Sequence, residues 1–195
     1  MRRMGFLLLL PVLLFAGRAA AQGTLEARIE TSLGTITIAL DRDHAPATVD
    51  NFVRYAKGGH FDGTVFYRVV SRFVIQAGSF KADGSWKRTY LQPIPLESGL
   101  SNVRGAVAMA RGDEPASATA EFFIDLRNNG ASLDSKPGDA PNKTGYAVFG
   151  HVTDGMDVVD KIAAVPLKGG KGPFPKAAPK TPVVIEKVTV SETAP

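Results

Sequence analysis

One arginine set in an apolar run, three scattered histidines and no cysteine are what this chain brings to chemistry. His44, His60 and His151 lie near no G-x-S-x-G elbow and no zinc-ligand pair, and they read as surface or turn histidines. Without Cys, thiolate nucleophiles, thiolate zinc sites and disulfides are all excluded. Arg68 stands in an apolar run, Phe66-Tyr67-Arg68-Val69-Val70, followed closely by Phe73-Val74-Ile75-Gln76. A guanidinium keeps its proton at any working pH and carries five N–H donors, so it acts only as a fixed donor and positive charge. Taken alone, an arginine on a strand most often makes a surface salt bridge.

The elements that hold these residues follow from periodicity. The chain has 195 residues, 44% hydrophobic and 22% charged, which suits one domain with a single core. Leu25 to Glu30 alternates apolar and polar, as do Thr35 to Leu40, with Ser32-Leu33-Gly34 between them, which predicts a hairpin. Pro46 opens a helix with Val49, Phe52, Val53 and Ala56 at helical spacing, and Gly58-Gly59 ends it. Short strands are predicted over Val65 to Val70, Phe73 to Gln76, Ala106 to Ala110, Phe122 to Leu126, Ala147 to Val152 and Pro182 to Val190. A second helix is predicted over Met156 to Ala164. Lys81 to Asn102 and Lys168 to Lys180 are Gly- and Pro-punctuated loops, the latter a solvated connector. Ser191 to Pro195 should fray. Many short strands with turns between them suggest an antiparallel barrel or sandwich.

The N-terminus reads as a targeting segment. Arg2 and Arg3 precede an apolar run from Phe6 to Ala16, and Ala19-Ala20-Ala21 supplies an A-x-A cleavage pattern. A signal peptide over residues 1–21 is predicted, with the mature domain over 22–195 in the periplasm and no stable membrane insertion after cleavage. The run is shorter than the roughly 20 residues that span a bilayer. The net charge of +4 loses Arg2, Arg3 and Arg18, leaving 20 basic against 19 acidic residues in the mature chain. That balance argues against nucleic-acid binding.

Four segments together resemble the cyclophilins: Phe66 to Gly78, Val107-Ala108-Met109-Ala110-Arg111, Glu121-Phe122-Phe123-Ile124 and Gly145-Tyr146-Ala147-Val148-Phe149-Gly150. They stand in the family's order over nearly the whole mature chain, and Tyr146 in its context resembles the bacterial branch. The resemblance implies a mainly β fold, a closed eight-stranded antiparallel barrel capped by two α-helices, with the site on its outer surface. It implies peptidyl-prolyl cis-trans isomerase activity with no cofactor and no metal, on proline-containing unfolded or partly folded polypeptides, by a monomer that assists the folding of exported proteins. It assigns Arg68 the catalytic role and Gln76 the task of orienting it. Phe73, Val74, Phe123 and Leu133 wall a proline pocket with Tyr146 at its edge, and Met109, Ala110 and Arg111 lie along the substrate-binding strand.

These residues suit that reaction. Amide resonance sets a rotational barrier of about 18–20 kcal/mol. No bond to carbon is made or broken, so no nucleophile is needed. A donor aimed at the amide nitrogen binds the twisted state, whose nitrogen has regained its lone pair, more strongly than the planar one. Glu121, which the resemblance places among the substrate-binding residues, stands where many cyclophilins carry Gln; it either pairs with Arg68 or Arg111 or is an exposed, weakly coupled carboxylate. In many cyclophilins a tryptophan beside the pocket helps to grip cyclosporin. Here the single Trp, Trp86, lies in the Lys81-to-Asn102 loop, and Ala131-Ser132-Leu133-Asp134 occupies the matching segment. The alternative function is a chaperone module that binds proline segments with little catalysis, against which Arg68 itself speaks.

Overall fold

A computed structural model describes residues 24–136, 138, 144–169 and 171–192. The predicted signal peptide and Asn142 and Lys143 of an Asn-x-Thr sequon lie outside the described residues.

The predicted hairpin is β1 (Leu25–Thr31) and β2 (Gly34–Leu40), paired from Glu26↔Ala39 to Thr31↔Gly34. Alternation decides its faces. Ala27, Ile29, Ile36 and Ile38 are fully buried, while Arg28 and Glu30 meet each other outside, 3.2 Å apart. Six further strands complete the sheet: β3 (Arg68–Val70), β4 (Val74–Ala77), β5 (Ala106–Met109), β6 (Phe122–Asp125), β7 (Val148–Asp154) and β8 (Ile185–Glu192). Their order is β3-β4-β6-β5-β7-β2-β1-β8, antiparallel throughout.

The result is an open, strongly curled half-barrel, where a closed barrel was expected. Its edge strands β3 and β8 do not pair along their lengths. The segments leading into them do meet: Phe66 N–H donates to Val183 O at 3.0 Å and Ile185 N–H to Thr64 O at 2.8 Å, around a single Val65↔Val184 bridge. Ser191 and Glu192, expected to fray, instead extend β8 and pair with Glu26 and Leu25.

Among the described residues three helices appear where two were expected. In α1 (Pro46–Lys57), Pro46 supplies the first turn and no local side chain caps it. Glu97, fifty residues on, does so: its carboxylate accepts from Ala47 N–H, Thr48 N–H and Thr48 Oγ1 at 3.1, 2.8 and 2.7 Å. The polar loop over Lys81 to Asn102 is thereby tied to the core. Phe52 drives α1 inward, with its ring 5.0, 5.2 and 5.7 Å from those of Phe61, Phe149 and Phe122. α3 (Met156–Ala163) buries Val158, Val159 and Ile162 in the same core. Between them α2 (Gly130–Leu133) forms a single turn. Among the described residues no helix is long and apolar enough to cross a membrane.

The histidines divide. His44 is exposed beside Asp41, 2.8 Å from its carboxylate, and His151 is exposed on β7. His60, predicted at the surface, is buried against Tyr55 and Phe61. Burial, with the charge of Lys87 next, pushes it down to about 4. It is a neutral core residue.

Candidate functional site

The central strands are buried on both faces, and each face does a different job. Ile75, Val107, Met109, Phe122, Ile124 and Phe149 point into the main core. Their immediate neighbours Val74, Ala106, Ala108, Phe123 and Val148 form a second, smaller apolar cluster with Leu133, against which Phe73, Leu100, Ala110 and Tyr146 pack. Strand parity separates the two.

Register then assembles the candidates. Arg68 is opposite Gln76 on β4, Gln76 opposite Phe123 on β6, Phe123 opposite Ala108 on β5, and Ala108 opposite Val148 on β7. Directly opposed residues share a face, so a charged head, an amide and an apolar floor lie in one row across five strands. Gly78 keeps the rows close. Its φ is +146°, and a Cβ there would stand 2.6 Å from Ala120 O and Glu121 Cα, so any other residue would push β4 away.

Arg68 Nη1 donates to Gln76 Oε1 at 2.8 Å. Gln76 Nε2 donates to Tyr67 Oη at 2.5 Å, and Tyr67 Oη donates to Glu121 Oε2 at 2.7 Å. Glu121 therefore reaches Arg68 through two intermediaries, and it is neither directly paired with an arginine nor an exposed carboxylate, the two alternatives the sequence left open. Arg111 points elsewhere: it donates to the carbonyls of Gly145, Gly112 and Asp113 and stacks over Tyr146, 5.2 Å from the ring centroid. Burial pushes Glu121 up to about 7, against the opposing pull of Tyr67, Ser79 and Gln76. Its Oε1 is buried without a well-formed hydrogen bond. Burial, with Glu121 next, raises the Tyr67 phenol, so it stays a donor throughout the working range.

The apolar end is braced from below. Phe123 and Tyr146 meet edge to face at 5.4 Å. Leu133, only 8% exposed, closes α2 against them, and its carbonyl accepts Tyr146 N–H at 3.1 Å. Asn129 fixes this corner: its Nδ2 donates to Phe73 O at 2.8 Å and to Asp125 Oδ1 at 2.6 Å. Asp134 holds the other side, accepting from Asn102 N–H and Nδ2 at 2.8 Å and from Ser101 Oγ at 2.5 Å. Asp125 is pushed up to about 7 by burial, partly opposed by Asn129.

One residue range decides the family. The model for "cyclophilin type peptidyl-prolyl cis-trans isomerase/CLD" matches residues 26–190. The chain belongs to the cyclophilin family. Among curated relatives, this cyclophilin is 45% identical over 164 residues to the peptidyl-prolyl cis-trans isomerase cyp18 of Streptomyces antibioticus, covering 83% of this chain and 96% of the relative. It is 44% identical to the peptidyl-prolyl cis-trans isomerase B of Escherichia coli, covering 83% and 97%, and 40% identical to isomerase A of Dickeya dadantii, covering 90% of each. A crystal structure of a cyclophilin-type isomerase from Cryptosporidium parvum shares the fold at a TM-score of 0.65 and 20% identity, over 87% of this chain and 99% of the other. This cyclophilin is thus an isomerase of X-Pro peptide bonds.

Of the candidates, Arg68, Gln76, Phe73, Val74, Phe123, Leu133, Ala110 and Tyr146 gather on the outer face, with Arg111 stacked at its rim. Met109 does not join them. It is 1% exposed and faces the main core, one residue out of phase with Ala108 and Ala110. Trp86 is 55% exposed on its loop beside Phe80, and Ala131 and Ser132 are exposed on α2. Sequence reasoning overlooked Tyr67 as the hub of the polar chain, although it sits inside the matched motif. It also overlooked Asn129 and Phe174. The Pro173-Phe174-Pro175 run was a readable signal for the last.

Proposed function

We propose that this isomerase acts through Arg68 on a proline seated in the outer apolar cluster. One observation carries the proposal: the guanidinium, held by Gln76, shares a row with Phe123 on the face that holds the second apolar cluster. A proline ring resting against Phe73, Val74, Phe123, Leu133 and Tyr146 would anchor one side of the X-Pro bond. The Arg68 donors left over from Gln76 would then face the amide nitrogen. They strengthen as that nitrogen becomes pyramidal and basic, which is the condition for lowering the barrier. The apolar floor favours the twisted amide too, since twisting reduces the bond's polarity and burial removes water that stabilises the planar form. A related cyclophilin-type isomerase has been crystallised in the presence of the dipeptide Ala-Pro.

The proposed substrates are proline-containing unfolded or partly folded chains in the periplasm. The Arg2–Arg3 start, the apolar run and the Ala19-Ala20-Ala21 pattern support export. The proposed species is a monomer. The deciding experiment is turnover of an X-Pro peptide by the purified mature chain and by Arg68→Ala. Loss of one transition-state donor should lower kcat/KM roughly 10²-fold. Equal turnover by a folded Arg68→Ala protein would remove Arg68 from the mechanism.

A further inference from the structure

The connector between α3 and β8 sends one aromatic ring back to the site. Phe174 is 45% exposed, yet its ring lies 5.3 Å from the Arg68 guanidinium carbon. It also stacks on Tyr67, with centroids 6.1 Å apart and planes 17° from parallel. We propose that Phe174 is a positioning residue for Arg68: a π-face that sets the plane of the guanidinium while Gln76 sets its direction. The proposal rests on the catalytic reading of Arg68.

The geometry explains why a second constraint is needed. The Nη1–Oε1 hydrogen bond fixes one edge of the guanidinium but leaves the group free to swing about that contact. A ring beneath the cation resists that swing, because the attraction between the positive group and the ring's negative face depends on their stacking. Both constraints share one base. Gln76 is bonded to the Tyr67 hydroxyl, and Phe174 lies on the Tyr67 ring. Arg68 is thus clamped between two groups mounted on a single buried tyrosine, itself packed on Phe80 at 4.6 Å.

The ring is also held in place by its own chain. Pro173 and Pro175 flank it. Pro175 confines Phe174 to extended conformations, and each ring locks its own φ. Ala177 N–H donates to Phe174 O at 2.9 Å, closing a turn, and Val69 N–H, next to Arg68, donates to Ala177 O at 2.8 Å. The loop is therefore tied to the very strand that carries Arg68. A large apolar side chain left half in water gains little from burial, so the ring's placement answers to what it touches.

The test is a series at position 174, read as peptide turnover by the full mature chain, with Arg68→Ala alongside. Phe174→Ala should lower kcat/KM about five-fold, the rate equivalent of about 1 kcal/mol. The loss should fall on kcat more than on KM. Phe174→Leu keeps apolar bulk without a π-face and should lose nearly as much, whereas Phe174→Tyr and Phe174→Trp should restore turnover. In the Arg68→Ala background, Phe174→Ala should change nothing further. Arg68→Ala inactive with Phe174→Ala at wild-type rate overturns this inference alone. A Leu variant as active as Phe, or an equal loss with and without Arg68, reduces Phe174 to a packing residue. A fully active Arg68→Ala protein overturns the reading of Arg68 and this inference with it.

Discussion

Replacing Glu121 by glutamine isolates one buried charge, and its effect should depend on pH in a defined direction. Burial pushes the Glu121 carboxyl up to about 7 from an ordinary 4.5. In that interval the folded chain keeps the proton that the unfolded chain has released. Stability is complete below pH 4.5, falls as pH rises, and levels off once the folded carboxyl has ionised above about 7. At 1.36 kcal/mol per pH unit, the loss amounts to about 3 kcal/mol. For a domain of this size it is worth about 6–12 °C in Tm. The amide of Glu121→Gln accepts the Tyr67 hydroxyl as the carboxylate does, but never ionises. Thermal unfolding of both proteins between pH 4 and 8.5 should therefore give similar Tm values at pH 4. The mutant should gain progressively to about pH 7, and the gap should then stay constant. Asp125, pushed up to about 7 in the same way, bends both curves alike and cancels in the difference. A gap independent of pH would mean that Glu121 ionises as a solvated carboxylate does, and would refute the argument from burial.

Glu121→Ala should lower kcat/KM a few-fold without unfolding the protein, because Tyr67 and through it Gln76 lose their anchor; wild-type turnover would separate Glu121 from the site. Asn129→Ala strips Asp125 and Phe73 O of their shared donor and should cost about 1–3 kcal/mol in denaturant unfolding, with KM rising as Phe73 loosens. Cyclosporin should inhibit weakly during the peptide assay, because Trp86 lies away from the apolar cluster and exposed Ala131 and Ser132 hold the matching segment. Loss of 3–4 kcal/mol of indole contacts weakens binding by roughly 10²- to 10³-fold, so nanomolar inhibition would contradict it. Intact mass of the exported protein should correspond to a chain starting at Gln22; a chain that retains residues 1–21 would contradict cleavage.

Legibility followed the range over which each interaction acts. The hairpin, α1 and α3 were readable because alternation and helical spacing are local. The outer apolar cluster was readable through the matched motifs. Met109 shows where motif reasoning failed: it belongs to a matched segment, but strand parity turns its side chain into the core while Ala108 and Ala110 face out. His60 was misjudged because a lone histidine carries no mark of the aromatic residues that fold over it. The edges of the sheet depend on how far it curls, which no short window records. Glu97 and Phe174 act across 49 to 106 residues of chain, from loops whose composition signals only turns. Pairing of Glu121 with arginine looked natural from charge alone, but Gln76 and Tyr67 stand between them.

The proposed site is the reverse side of the core. Phe123 is flanked by Phe122 and Ile124, so the floor of the pocket and the interior of the domain are consecutive residues of one strand. On the proposed reading a client would therefore meet an outward-facing surface carried by the described strands. A proline in the middle of a long, half-folded polypeptide is as reachable as one in a dipeptide, provided the few residues around it can be drawn out flat. Selectivity among clients would then be a matter of what surrounds that surface: the loops carrying Arg111 and Phe174 can change in sequence while the strands behind them stay as they are.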